Sequence, residues 1–141
     1  MAIEFARNVL GLDDANSTEF AKDCQYQIYQ IMDGNLRLGD QDCLIKKGTV
    51  AETIYKANEI KQRHRHRYGM VNPAYIKLFN DKGFKISATS KYGKFTVAEF
   101  SELPNNRCYI GCQFHPEFHS RPKDTDPVFT YLIKKGIEYK K

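Results

Sequence analysis

Two residues separated by one proline carry the strongest chemical signal in this 141-residue chain, His115 and Glu117. They follow the run Arg107-Cys-Tyr-Ile-Gly-Cys-Gln-Phe114, in which Cys108, Ile110, Cys112 and Phe114 fall on one face and polar or small residues on the other. That period of two predicts a strand over 107–114, and Pro116, having no N–H to give, ends its ladder. Positions two apart in an extended chain point the same way, so the imidazole and the carboxylate are expected side by side just past the strand end. A carboxylate that accepts one imidazole N–H fixes the tautomer and frees the other nitrogen to take a proton from a thiol or hydroxyl. It also stabilises the imidazolium that forms. A solvated strand end can show the same His-x-Glu spacing, and the spacing alone does not separate the two readings.

Other residues invite chemistry less strongly. His115-x-x-x-His119 has the spacing of metal ligands on a helix, but Pro116 and the strand before it oppose that geometry, and no metal site is expected. The run Arg63-His64-Arg65-His66-Arg67 could meet phosphates, as clustered basic residues do. It stands without an RNA-binding aromatic motif, so no nucleic-acid partner is expected. Cys24, Cys43, Cys108 and Cys112 lack the paired spacing of zinc sites and read as buried free thiols.

The elements that must position these residues follow from pattern and punctuation. Ala2, Phe5, Ala6, Val9 and Leu10 make one apolar stripe, predicting a helix over 2–12. A polar loop then runs to Asp23. Tyr26 to Ile31 reads as a strand, Asp33-Gly34-Asn35 as a turn, and Leu36–Leu38 and Cys43–Ile45 as two short strands. Residues 49–57 read as a short helix, and 61–68 fits either loop or strand. Asn72 caps a helix opened by Pro73, with Ile76, Leu78 and Phe79 inward and Gly83 as its end. Phe84–Thr89, Phe95–Phe100 and Cys108–Phe114 form a meander. Asp126 and Pro127 open a last helix expected to bury Phe129, Leu132, Ile133 and Ile137. Strands interleaved with helices predict one α/β unit over 1–141, with part of its sheet antiparallel.

Composition sets the outer bounds. Hydrophobic residues at 41% and charged residues at 28% are ordinary for a globular domain. No apolar run approaches the roughly 20 residues a membrane helix needs. With Glu4 and Arg7 in the opening helix, neither a secretory signal nor a membrane partner is expected, and the location is read as cytoplasmic. The net charge of +5 is scattered except at 61–67 and in the last helix, whose closing lysines complement its dipole.

Longer words add to these residues. Gln-Phe-His-Pro-Glu-Phe (113–118) with Ser120-Arg121-Pro122 resembles the His/Glu signature of class I glutamine amidotransferases, in the version carried by the glutaminase domain of CTP synthases. Arg63 to Tyr68 with Val71-Asn72, and Ala15-Asn16-Ser17-Thr18-Glu19-Phe20, are similar to two further words of that domain, in the same order. Phe5 to Leu12 and Leu36 to Gly39 extend the resemblance from the first residues to about Pro127.

The resemblance implies a partial flavodoxin-like fold, a mixed sheet flanked by helices. It implies His115 as general base, Glu117 as its orienting carboxylate, and Glu19 and Arg67 as contacts to L-glutamine. A carboxylate suits the substrate ammonium, and a guanidinium can hold its carboxylate with two parallel bonds. In the family the nucleophile is a cysteine on a sharp turn just before the helix that 1–12 resembles. The chain is therefore expected to be the C-terminal part of the glutaminase domain, carrying the His and Glu of the triad but not the Cys, and to be inactive by itself. No cofactor is implied for this portion; ATP and magnesium belong to the synthetase domain that would receive the ammonia. Expected partners are that synthetase domain, or a chain supplying the other half, and further copies of itself. The alternative is a non-catalytic remnant acting as an interaction or regulatory module. Departures from the family pattern are a shorter segment between Glu19 and Arg37, Gln62 where a Glu often stands, and Gly69-Met70 after Tyr68. They are expected to touch the rim of the substrate pocket.

Overall fold

The computed structural model describes residues 1–140. A first helix, α1 (Ala2–Asn8), buries Ala2, Phe5 and Ala6. It stops earlier than the apolar stripe suggests: the stripe continues into Val9, which is 58% exposed, and Gly11 turns the chain at positive φ. The polar stretch that follows contains a strand that the pattern did not reveal, β1 (Ala15–Ser17), parallel to β2 (Tyr26–Ile31). Three residues are too few to display a period, and of the two buried ones, Ala15 and Ser17, only Ala15 is apolar.

The two short strands expected between 36 and 45 are one strand, β3 (Arg37–Ile45). Its polar middle faces water in an antiparallel ribbon with β4 (Glu59–His66), where Asp42 lies 3.6 Å from Lys61. The basic run is therefore strand. Lys61, Arg63 and Arg65 point outward while Gln62 and His64 are buried, so only one face of it is basic. Between these strands α2 (Val50–Tyr55) is capped by Thr49, whose side chain accepts from the Glu52 N–H.

A two-residue strand, β5 (Tyr68–Gly69), completes a three-stranded sheet ordered β1-β2-β5. Helix α3 (Pro73–Asp81) starts on the Asn72 cap as expected and buries Phe79. The meander is present as β6 (Lys85–Tyr92), β7 (Phe95–Glu102) and β8 (Ile110–Cys112), the last much shorter than 107–114. With β4 and β3 it forms a five-stranded antiparallel sheet ordered β4-β3-β6-β7-β8.

Helices cover both faces. One core joins Phe5, Ile28, Met70, Phe79, Phe84 and Ile86; the other joins Cys43, Ile45, Ala51, Ile54, Phe100 and Phe114. Ile86 and Ala88 lie two apart on β6 yet enter different cores, and the register of β6 on β7 shifts between them. A bulge of this kind re-aims side chains and lets one strand serve both faces. The last helix, α4 (Pro127–Tyr139), starts on the Asp126 cap. It buries Val128 rather than the stripe expected: Leu132, Ile133 and Ile137 are 52, 65 and 57% exposed. Val128, with Phe129 and Tyr131 beside it, is what α4 lends to the second core.

Candidate functional site

The tail of β8 is stitched to two strands that are not neighbours in the sheet. Gln113 N–H donates to Glu99 O of β7 at 2.8 Å, and His115 N–H to Arg63 O of β4 at 2.9 Å. Pro116–Phe118 then form a single 3-10 turn rather than extended chain. The turn still pairs the two side chains: His115 Nδ1 and Glu117 Oε1 are 2.7 Å apart. A carboxylate can only accept, so Nδ1 carries the proton and Nε2 is the free basic nitrogen. The imidazole stacks on Phe118 at 5.1 Å and remains partly open to solvent, 37% by side chain. Partial burial pushes the Glu117 carboxyl up, but the hydrogen bond from His115, a backbone N–H and the imidazolium charge outweigh it and hold the group below the usual glutamate value. His119, the other half of the spacing that suggested a metal, points elsewhere and meets Asp40 at 3.2 Å.

The small sheet places Glu19 and Arg67 at the same end, on either side of β2. Ser17 pairs with Tyr29 and Ile31 with Tyr68, so Glu19, just past β1, and Arg67, just before β5, both flank the carboxyl end of β2. Both are exposed, and among the described residues neither side chain makes a hydrogen bond or ion pair. An exposed carboxylate and an exposed guanidinium are thus held at one end of a sheet. The segment bearing Arg67 touches the one bearing His115 at the Tyr68 carbonyl, which accepts from Gln113 Nε2 at 3.5 Å.

Among the described residues no cysteine is hydrogen-bonded to the His115 ring. Cys43 is fully buried and lies 3.7 Å from His64, and Cys112 faces the second core. Burial, with nearby carboxylates, pushes both thiols up to about 12, so neither is a ready thiolate.

Two groups expected from the sequence to play other roles lie beside the base. Asp126, besides capping α4, accepts from Tyr55 OH at 2.9 Å and from Gln62 Nε2 at 2.8 Å. Its own N–H donates to Ser120 Oγ, which in turn donates to Pro116 O beside the base. Gln62, expected at a pocket rim, is instead buried beneath this turn. The second group is a polar cluster under β4. Glu99 is ion-paired with Arg37 and hydrogen-bonded to Ser90, with His64 against them and His66 next in line; Arg37, Glu99, Ser90 and His64 are all buried. The two-residue alternation of 61–67 was the one sequence signal that could have sent His64 inward.

Comparison with known proteins gives the family. The family described as "Glutamine amidotransferase class-I" matches residues 1–135. CTP synthase of Hydrogenobaculum is 47% identical over 150 residues and that of Aquifex aeolicus 45% over 150, in each case across 100% of this chain. The chain spans 28% of the length of each. The solved glutaminase domain of Trypanosoma brucei CTPS, with bound acivicin, superposes with a TM-score of 0.90 at 36% identity, covering 97% of this chain and 56% of that one. With its His-Glu pair past the end of an antiparallel meander and helices on both sheet faces, the chain belongs to the class-I glutamine amidotransferase family, within which it matches the glutaminase portion of CTP synthases.

Proposed function

We propose that the chain is the base-bearing part of a glutaminase that supplies ammonia for the conversion of UTP to CTP. The observation that carries this reading is the 2.7 Å contact of His115 Nδ1 with Glu117, which leaves Nε2 free at a half-open surface. In that role His115 Nε2 takes the proton of a cysteine thiol as it attacks the glutamine carboxamide, then returns it to the departing ammonia. Glu117 holds the ring and offsets the imidazolium charge. Glu19 receives the substrate ammonium, and Arg67 grips its carboxylate with two parallel bonds. ATP, magnesium and UTP would be handled by a synthetase domain, to which the ammonia passes.

In this reading the thiol comes from outside Cys24, Cys43, Cys108 and Cys112, none of which is hydrogen-bonded to His115 among the described residues. The 141 residues alone are therefore proposed not to hydrolyse glutamine, and a segment or partner chain bearing a cysteine elbow completes the site. The same observation favours a second reading, a non-catalytic module that keeps the fold as an interaction surface. Incubation with acivicin, the ligand of the Trypanosoma domain, followed by peptide mass mapping and a glutamate-release assay tests both. No adduct and no glutamate is the expected result for the chain alone, with both gained once a cysteine-bearing partner is added. An adduct on Cys24, Cys43, Cys108 or Cys112 with turnover overturns the proposal. No gain with any such partner favours the module.

A further inference from the structure

His66 Nδ1 lies 2.8 Å from Tyr68 O, and a carbonyl only accepts, so the ring proton sits on Nδ1. The Nε2 of a neutral His66 is then an acceptor, and His64 Nδ1, 3.0 Å away, must donate to it. That leaves His64 Nε2 as an acceptor facing the Cys43 thiol at 3.7 Å. Glu99 Oε2, 3.7 Å from His64 Nδ1, favours the same tautomer. One protonation pattern satisfies the line from His64 to Tyr68 O, and both ring protons in it point toward the carbonyl; the Cys43 thiol at its head also has the Gln41 carbonyl within 3.9 Å. Burial and the charges of Arg37 and His115 push both rings below the ordinary histidine value, His64 to about 3 and His66 to about 4, which keeps them neutral.

Cys43, His64 and Glu99 also bring ligand-type atoms within 4.8 Å of one another, as a metal site would. Arg37 already supplies the counter-charge to Glu99, whose Oε2 is left without a hydrogen bond, while both His64 nitrogens have a partner along the line from Cys43 to His66. The end of that line meets the candidate site. Tyr68 follows Arg67, and its carbonyl also accepts from Gln113, two residues before His115.

We infer that His66 is a positioning residue: with Gln113 it clamps the Tyr68 carbonyl, and so fixes the segment that presents Arg67 against the segment that presents His115. His64 sets the tautomer that lets it do so. The clamp stands on the contacts above; its value for glutamine binding rests on the reading under Proposed function. Groups facing the two rings are Arg37 and Cys43 from β3, Glu99 from β7 and His115 from the tail of β8.

The test uses the isotope-labelled chain at neutral pH. Long-range proton–nitrogen spectra are expected to show both His64 and His66 neutral with the proton on Nδ1. His66→Phe, which cannot donate, should move the Tyr68 carbonyl carbon resonance. His66→Asn, whose amide places a donor near the former Nδ1, should restore it. L-glutamine, followed by chemical-shift titration, should bind about fivefold to tenfold more weakly to His66→Phe, the size of one lost hydrogen bond, and nearly normally to His66→Asn. A proton on His66 Nε2, or a carbonyl resonance unmoved by His66→Phe, overturns the clamp. Equal losses in Phe and Asn variants with dispersed spectra, or no loss in either, overturn the positioning role. If the unsubstituted chain binds no glutamine, the glutamine reading of Arg67 falls and the positioning role with it, while the tautomer and carbonyl data still decide the clamp.

Discussion

At the scale of single residues, the protonation states of three side chains follow from what each one touches. Glu117 is depressed mainly because the His115 bond and charge outweigh its partial burial. Its carboxyl should titrate below the ordinary glutamate value by carbon NMR, and His115→Ala should raise it, since burial then acts with less opposition. A depressed acid stabilises the fold above its unfolded pKa, and that contribution is lost as pH falls through the folded value. His64 and His66 act in the same direction by a different route. Their folded values, about 3 and about 4, lie below the 6.5 of an unfolded histidine. Below pH 6.5 the unfolded chain takes up protons that the folded chain refuses. Stability should therefore fall between pH 6.5 and about 4, by up to about 1.4 kcal/mol per pH unit for each histidine. Urea midpoints across that range should show the slope, and midpoints that do not change down to pH 4.5 would contradict buried neutral rings.

At the scale of elements, the caps differ in what they hold. Thr49 caps α2 and donates its hydroxyl to the exposed Lys46 carbonyl at 2.6 Å, and Thr49→Ala should cost about 1 kcal/mol. Asp126 caps α4 and also satisfies Tyr55 and Gln62. Asp126→Ala adds the stranding of buried donors to a lost cap and should cost about 2–5 kcal/mol in urea unfolding. Equal losses for the two variants would mean that Tyr55 and Gln62 find other partners. Sequence made two helix starts visible, because Asn72-Pro73 and Asp126-Pro127 are local signals that need no tertiary context; the Thr49 cap was not among them. The meander and the His-Glu pair were legible for the same reason. What stayed hidden depends on distant partners. β1 exists because β2 lies beside it, β3 runs unbroken through polar residues because β4 pairs with them, and the Tyr68 clamp needs three separate segments to meet. The apolar stripe of α4 was legible as a stripe, but a period says which residues share a face, not what covers them.

At the scale of the whole molecule, that stripe is an unpaired apolar surface. Leu132, Ile133 and Ile137 lie on one side of α4, more than half exposed. Apolar patches of this kind drive association. We expect concentration-dependent self-association by sedimentation velocity, reduced when Ile133 and Ile137 are replaced by glutamate, with the circular dichroism spectrum unchanged. A monomer at every concentration would show that the stripe is tolerated in water. The backbone stitching of the β8 tail has a further consequence for how such a chain can drift in length. The hairpin loop between β7 and β8 can gain or lose residues without moving the base, because His115 is tied downstream of it, to Arg63. A deletion within β4 that slips its register on β3 would carry the base along by about 3.3 Å for each residue. Insertions should therefore accumulate between Glu102 and Ile110 and be absent between Glu59 and His66 in lineages that keep the imidazole in place.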